Sequence, residues 1–280
     1  MRRTLYDELL HWKGSRHRKP LVLEGARQTG KTWLLKEFGK NEYRNMVYIN
    51  CDNNPDAREM FSDFDMKRIL RVLSALSGQE IRSGETFVFL DEIQEVPYGL
   101  AALKYFCENA PDIHVAVAGS LLGMALHEGT GFPVGKTDRL RLYPLSFGEF
   151  LDAMGEKEVL SLMSTCRWTD FSALRGKLTE LLRQYYFIGG MPEAVQRYAE
   201  KEGLGVVRDI QLKILAGYRM DFSKHIPVAS IPRVNMVWDS ILPQLAKDNK
   251  KFIYGTMKKG ARAKEFEIAI RWLRDAGLVL

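Results

Sequence analysis

Cysteine is scarce in this sequence. Only Cys51, Cys107 and Cys166 occur in 280 residues, with no CxxC spacing and only five histidines. That excludes a disulfide framework and a clustered zinc site, and points to a reducing compartment such as the cytoplasm. Long apolar runs are also missing. VAVA at 115–118 is the size of a strand, far short of the roughly 20 residues that span a bilayer, so no membrane partner is expected. The opening MRRTLYDELLHWKGSRHRK meets acids early and has no apolar core, unlike a signal peptide. There is no internal repeat or low-complexity tract. With 46% hydrophobic and 27% charged residues the chain is expected to fold. The formal charge of +6 is moderate, but residues 247–275 hold nine Lys/Arg against four Asp/Glu, which makes an anionic partner worth testing.

Between Pro20 and Pro144 short apolar runs alternate with helical patterns. The runs are LVL at Leu21, MVYI at Met46, FVFL at Phe87, VAVA at Val115 and LRLY at Leu140. The first four are continuous, as strands covered on both faces should be. Helices are expected over 31–38, 66–76, 100–107 and 121–126. Such alternation predicts an α/β fold with a parallel sheet and right-handed crossovers. Beyond Pro144 the pattern turns helical, with a break at IGGMP (188–192) and a long helix over 203–222. The connector HIPVASIPR marks a boundary near 226–233. Apolar stripes at Val234, Val237, Trp238, Ile241, Leu242 and Leu245, and at Phe266, Ile270 and Leu273, predict two more helices. With AGLVL they read as a helix-turn-helix entering the first strand of a wing, in a chain expected to be part of a longer protein. The expected domains are a core over 1–144, a helical lid over 145–230 and a winged-helix-like segment over 231–280.

Gly25-Ala26-Arg27-Gln28-Thr29-Gly30-Lys31-Thr32 satisfies G-x-x-x-x-G-K-[ST], with a strand before it and a helix after it. Glycines let backbone N–H groups form an anion nest, and the helix N-terminus adds its unsatisfied donors. Lys31 places a charge on the β- and γ-phosphates, and the Thr32 hydroxyl can ligate Mg²⁺. Gly25, Arg27, Gln28, Thr29, Gly30, Lys31, Thr32 and Trp33 are therefore the candidate nucleotide-binding stretch. FVFLDE supplies an acid at the end of another strand: Asp91 as a metal ligand, and Glu92 as the carboxylate that polarises an attacking water. That second acid points to ATP hydrolysis. MVYIN lies between these two strands in sequence, the arrangement of the additional-strand P-loop ATPases. Ser120, at the end of VAVAGS, is placed to sense the γ-phosphate, and also reads as a helix cap.

LEGARQTGKT, FVFLDEIQ, VAGSLLG, LRLYPLSFGEF and YYFIGGMPEAV, in that order, resemble the prokaryotic AAA-type ATPases that carry a C-terminal domain of unknown function, relatives of the AAA+ and STAND ATPases. The resemblance implies a P-loop NTPase three-layer sandwich with five parallel strands in the order 5-1-4-3-2, a helical lid and a winged helix. It implies ATP and Mg²⁺ as cofactors. By similarity to STAND lids, Gly190 and Pro192 either line the base or simply break a helix. An arginine finger acting on a neighbouring copy is looked for among Lys136, Arg139 and Arg141. Arg27 either faces the nucleotide or pairs with a lid acid. Three functions follow: an ATP-driven switch acting on a protein partner or within a homo-oligomer, an ATPase that grips DNA through the basic C-terminal segment, and a small-molecule kinase, for which no acceptor site is marked.

Overall fold

The computed structural model describes residues 1–52, 54–57, 59–119, 133–165, 172–247, 252–258 and 262–279. Five parallel strands form one sheet: β1 (Leu21–Glu24), β2 (Asn45–Asn50), β3 (Thr86–Asp91), β4 (His114–Ala118) and β5 (Asp138–Arg141). Their order is β2-β3-β4-β1-β5, the expected order read from the other edge. The final strand begins two residues earlier than LRLY suggested and alternates half-buried with exposed residues, because it is an edge with a neighbour on one side only.

The continuous apolar runs sort by parity. Val88 and Leu90 of β3 join Val47, Ile49, Val115 and Val117 on one face, under α3 (Met66–Ser77) and α4 (Gly99–Asn109). Phe87 and Phe89 join Leu21, Leu23 and Ala116 on the other, under α1 (Leu5–Gly14) and α2 (Lys31–Glu42). Successive strand side chains point to opposite faces, so two apolar helical layers demand an apolar residue at every position. α1 itself is held by Leu5, Leu9 and Trp12, one helical stripe, packed near the ring of Phe38.

Past β5 the chain is helical: α5 (Phe147–Ala153), α6 (Lys157–Thr165), α7 (Arg175–Ile188), α8 (Pro192–Ala199), α9 (Leu204–His225), α10 (Ile231–Leu245) and α11 (Ala263–Asp275). Ser146 and Glu149 close a capping box at the start of α5. Gly189 at φ 77° ends α7 and Pro192 opens α8, as the IGGMP break requires. Phe222, Val234, Val237, Phe266, Ala269 and Leu273 form a separate apolar cluster between α9, α10 and α11. The wing strand expected at AGLVL does not form over 276–279, where α11 ends in a turn that bonds Leu278 N to the carbonyl of Leu273. No strand follows Arg141 among the described residues. No described helix is long and apolar enough to cross a membrane.

Candidate functional site

β1 ends at the sheet edge and hands the chain to a tight loop, after which α2 begins at Lys31. Gln28 takes φ 64° and Gly30 φ 93°, the left-handed values that wind a loop back on itself; glycine adopts them at little cost. Thr29 is fully buried and its hydroxyl donates to the carbonyl of Ala26 at 2.9 Å, so it staples the loop from within. Gly25 is required by packing: a Cβ there would stand 2.4 Å from the carbonyl oxygen of Leu142, on the chain leaving β5.

Lys31 is 7% exposed and donates to the carbonyls of Gly25 and Ala26, each at 2.9 Å. Burial pulls its amine down to about 8, against the nearby charges of Glu92 and Asp91. A buried ammonium resting on backbone carbonyls is poised to exchange them for anionic oxygens. Thr32 Oγ1 donates to Asp91 Oδ2 at 2.8 Å, and Tyr48 O–H reaches the same oxygen at 3.3 Å. Burial raises the Asp91 carboxyl and Glu92 adds to this, while the Thr32 and Tyr48 donors oppose it. Hydroxyl and carboxylate thus meet where the two strand ends converge, a donor set suited to a hard divalent cation that keeps its remaining positions for phosphate and water. Glu92 sits at φ 52°, outside the strand, and its Oε2 accepts from Gln94 Nε2 at 2.6 Å.

These groups open onto a cleft of about 910 Å³. Arg27, Gln28, Gly30, Lys31, Thr32, Trp33, Glu92 and Pro192 all line it, so most of the sequence-derived stretch converges with the start of α8. Gly25 and Thr29 lie behind it as loop structure. Gly190 is a correction: it belongs to a backbone crossing, not to the cleft. Its carbonyl accepts from Leu145 N at 2.6 Å, and a Cβ there would meet the carbonyl of Leu145 at 2.3 Å. Asp91 stands behind Thr32. Ser120 and the 121–126 helix lie outside the described residues.

The arginines sort among the alternatives that the sequence left open. Arg139 and Arg141 both pair with Glu24 at the end of β1, at 3.3 and 3.6 Å, and Lys136 pairs with Glu108 at 2.9 Å. All three cations are engaged within this chain. Arg27 meets Asp221 of α9 at 2.5 Å, while Tyr218 O–H donates to the Arg27 carbonyl at 2.9 Å. Sequence reasoning missed Arg3, which reaches the cleft from ahead of α1, Glu193 and Gln196 of α8, and Glu200 just after it. The spacing of Ser146 and Glu149 was a readable capping-box signal. The partner of Glu149, 146 residues away, left no local trace.

Residues 17–151 match the family model described as AAA domain. The core is an AAA domain. Its loop, hydroxyl–carboxylate pair and neighbouring glutamate support nucleotide binding of the ATPase kind. Residues 179–280 match a model described as Domain of unknown function (DUF8612), which begins within α7 and takes in α8 to α11. No curated protein matches the chain. Among solved structures, the AAA domain and its helices are similar to the Aeropyrum pernix ORC1 protein in complex with DNA, at 13% identity and TM-score 0.39, covering 98% of this chain and 81% of that one. Drosophila ORC bound to DNA gives 15% identity and TM-score 0.37, covering 98% and 79%. Caenorhabditis elegans PCH-2 gives 15% and 0.34, covering 58% of this chain and 48% of that one.

Proposed function

We propose that this protein hydrolyses ATP with Mg²⁺ and uses the cycle to reset its helical half. The observation that carries this reading is the convergence of Lys31, the Thr32–Asp91 pair and Glu92 on one cleft that the lid also lines. Lys31 would leave the carbonyls of Gly25 and Ala26 for the phosphate chain, with the N-terminus of α2 donating beside it. Thr32 and Asp91 would hold Mg²⁺, which when bound neutralises developing phosphate charge. Glu92 would take the proton of a water attacking in line, with Gln94 restraining it until substrate is seated.

The lid enters through Arg27. Its guanidinium is held by Asp221, and a phosphate chain in the cleft would compete for the same donors. Losing that partner frees α9, whose C-terminal part packs with α10 and α11 through Phe222 and Tyr218. Charge at the loop thereby becomes motion of the C-terminal helices. The alternative of a DNA-gripping ATPase is less favoured, because the exposed surface of α11 mixes Lys264, Arg271 and Arg274 with Glu265 and Glu267.

The test is a pair of variants. Wild-type protein should be stabilised against heat by ATP/Mg²⁺, and Lys31→Ala should lose that shift. Glu92→Gln should keep the shift and lose turnover by a factor of about 10²–10⁴. Wild-type turnover in Glu92→Gln, or no shift in the wild type, would sink this reading.

A further inference from the structure

Arg3 is 5% exposed, yet it lies in the segment ahead of α1, six residues short of the nearest fully buried leucine, Leu9. Its three donor groups go to three parts of the chain. Nε donates to Glu149 Oε1 at 3.0 Å, Nη1 to the Thr29 carbonyl at 2.9 Å and Nη2 to the Tyr143 carbonyl at 2.6 Å. Glu149 Oε1 also accepts from Thr4 N at 2.8 Å, while its Oε2 takes Ser146 N at 2.9 Å. Burial opposes ionisation of Glu149, but the backbone donors of Ser146 and Thr4, with Arg3, hold its carboxyl below the ordinary range. One planar fork therefore joins the phosphate loop, the β5-to-lid connection and the first lid helix.

The Thr29 contact has a geometric consequence. In a planar trans peptide the C=O and the following N–H point in opposite directions. An Arg3 donor on the Thr29 carbonyl therefore turns the Gly30 N–H the other way, into the start of α2 where anions are bound. Without that hold the peptide is poorly constrained, because Gly30 has no Cβ and Gln28 on its other side is already at positive φ. Arg3 Nη1 lies 3.8 Å from where a Gly30 Cβ would be, and Arg3 itself lines the cleft.

We propose that Arg3 is the positioning residue of the phosphate loop: it fixes the Thr29–Gly30 peptide in its anion-binding orientation, and through Glu149 it makes that orientation depend on the seating of lid helix α5. Nucleotide affinity and lid seating are then two readings of one contact set. The affinity half rests on the nucleotide reading above; the coupling half does not. The device also explains why a charged pair is buried here. A simple staple needs no fork, whereas spanning two carbonyls and a carboxylate requires the guanidinium geometry that lysine lacks.

The experiment compares wild type, Arg3→Lys and Glu149→Gln. Arg3→Lys keeps a cation facing Glu149 but reaches at most one of the carbonyls. Glu149→Gln keeps the capping acceptor and touches no loop atom, so it gives the same readout if Arg3→Lys does not fold. Hydrogen exchange on the nucleotide-free protein is expected to accelerate together at 28–34 and at α5 in both variants, with β3 and β4 unchanged. With ATP, KM should rise about tenfold, the loss of one charge-assisted hydrogen bond, with kcat within about twofold. Lower melting temperature with wild-type exchange at 28–34 in both variants would overturn the proposal and leave Arg3 a staple. Coupled exchange in a wild type that binds no ATP would uphold the coupling and overturn the nucleotide reading instead.

Discussion

The AAA domain and the C-terminal helices both bury polar groups, but to different ends. In the domain, Glu24 and Asp91 are buried at strand ends and Lys31 at the start of α2, where the two apolar layers stop and Lys31 lines the cleft. In the helices, the buried polar residues Asp221 and Gln244 are ties. Asp221 reaches the phosphate loop through Arg27, and Gln244 Oε1 in α10 accepts from Ile253 N at 2.6 Å. A sheet covered on both faces leaves polarity only at its edges, so polarity there becomes a site. Helices covered along one stripe have polar flanks throughout, so a buried polar group there sets how elements meet.

The strongest way to break this contrast is to remove apolar mass from each half. Phe38 is fully buried against the rings of Tyr6, Trp12, Tyr43 and Phe87. Phe38→Ala is expected to cost about 3–5 kcal/mol in chemical unfolding and to abolish the ATP-induced thermal shift with it. Leu273→Ala, in the C-terminal cluster, should cost about 2–5 kcal/mol and leave ATP binding standing. If it also removes binding, the two halves are one cooperative unit and the contrast fails.

A smaller effect comes from acid. His114 opens β4, is 8% exposed and shares a hydrogen bond of 2.7 Å with Tyr43 O–H. Burial brings its imidazole down to about 4, helped by the charges of Arg18 and Lys13. The unfolded chain therefore binds more protons between pH 6.5 and 4, so stability rises with pH through that window and is lost as pH falls through it. Unfolding measured at these two pH values should differ by on the order of 2–3 kcal/mol from this group, and the slope should flatten in His114→Asn. An unchanged slope in that variant would put the acid sensitivity elsewhere.

The smallest effect tests the tie itself. Arg27 is partly exposed, so its pair with Asp221 is screened. Asp221→Asn should release the guanidinium to the nucleotide and tighten ATP binding about two- to fivefold, a gain on the order of 0.5–1 kcal/mol. The gain should vanish in an Arg27→Gln background. Weaker binding in Asp221→Asn would mean the acid assists the nucleotide, sharpening the contrast in the opposite direction.

Most of the sheet was legible because its strands are continuous apolar runs, and the phosphate loop because its residue types are dictated by phosphate geometry at fixed spacing. The roles within the loop were less so. Gly25 looks like a nest glycine, yet it is the close passage of Leu142 that demands it. Gly190 looks like a lid residue reaching the ligand, yet it is a backbone crossing under Leu145. Glycine carries no side chain to report which neighbour it makes room for. The wing strand was misread from AGLVL, since a short apolar tail after a helix serves equally well to cover the end of a helical cluster, as Leu278 and Val279 do here.

The sequence by itself determined the α/β core, the strand order implied by its family resemblance, the loop at 25–32 and the acids at 91 and 92. The core, the loop and the acids follow from short-range patterns of period, punctuation and spacing, whereas the strand order comes with the resemblance alone. Only the tertiary structure decided what the charges do. Arg27 could not choose between phosphate and a lid acid until α9 brought Asp221 to it, 194 residues on. Arg3 gave no signal at all until folding set Thr29, Tyr143 and Glu149 around it. An ion pair is fixed by distance in space, and the distance along the chain leaves no pattern from which to read it.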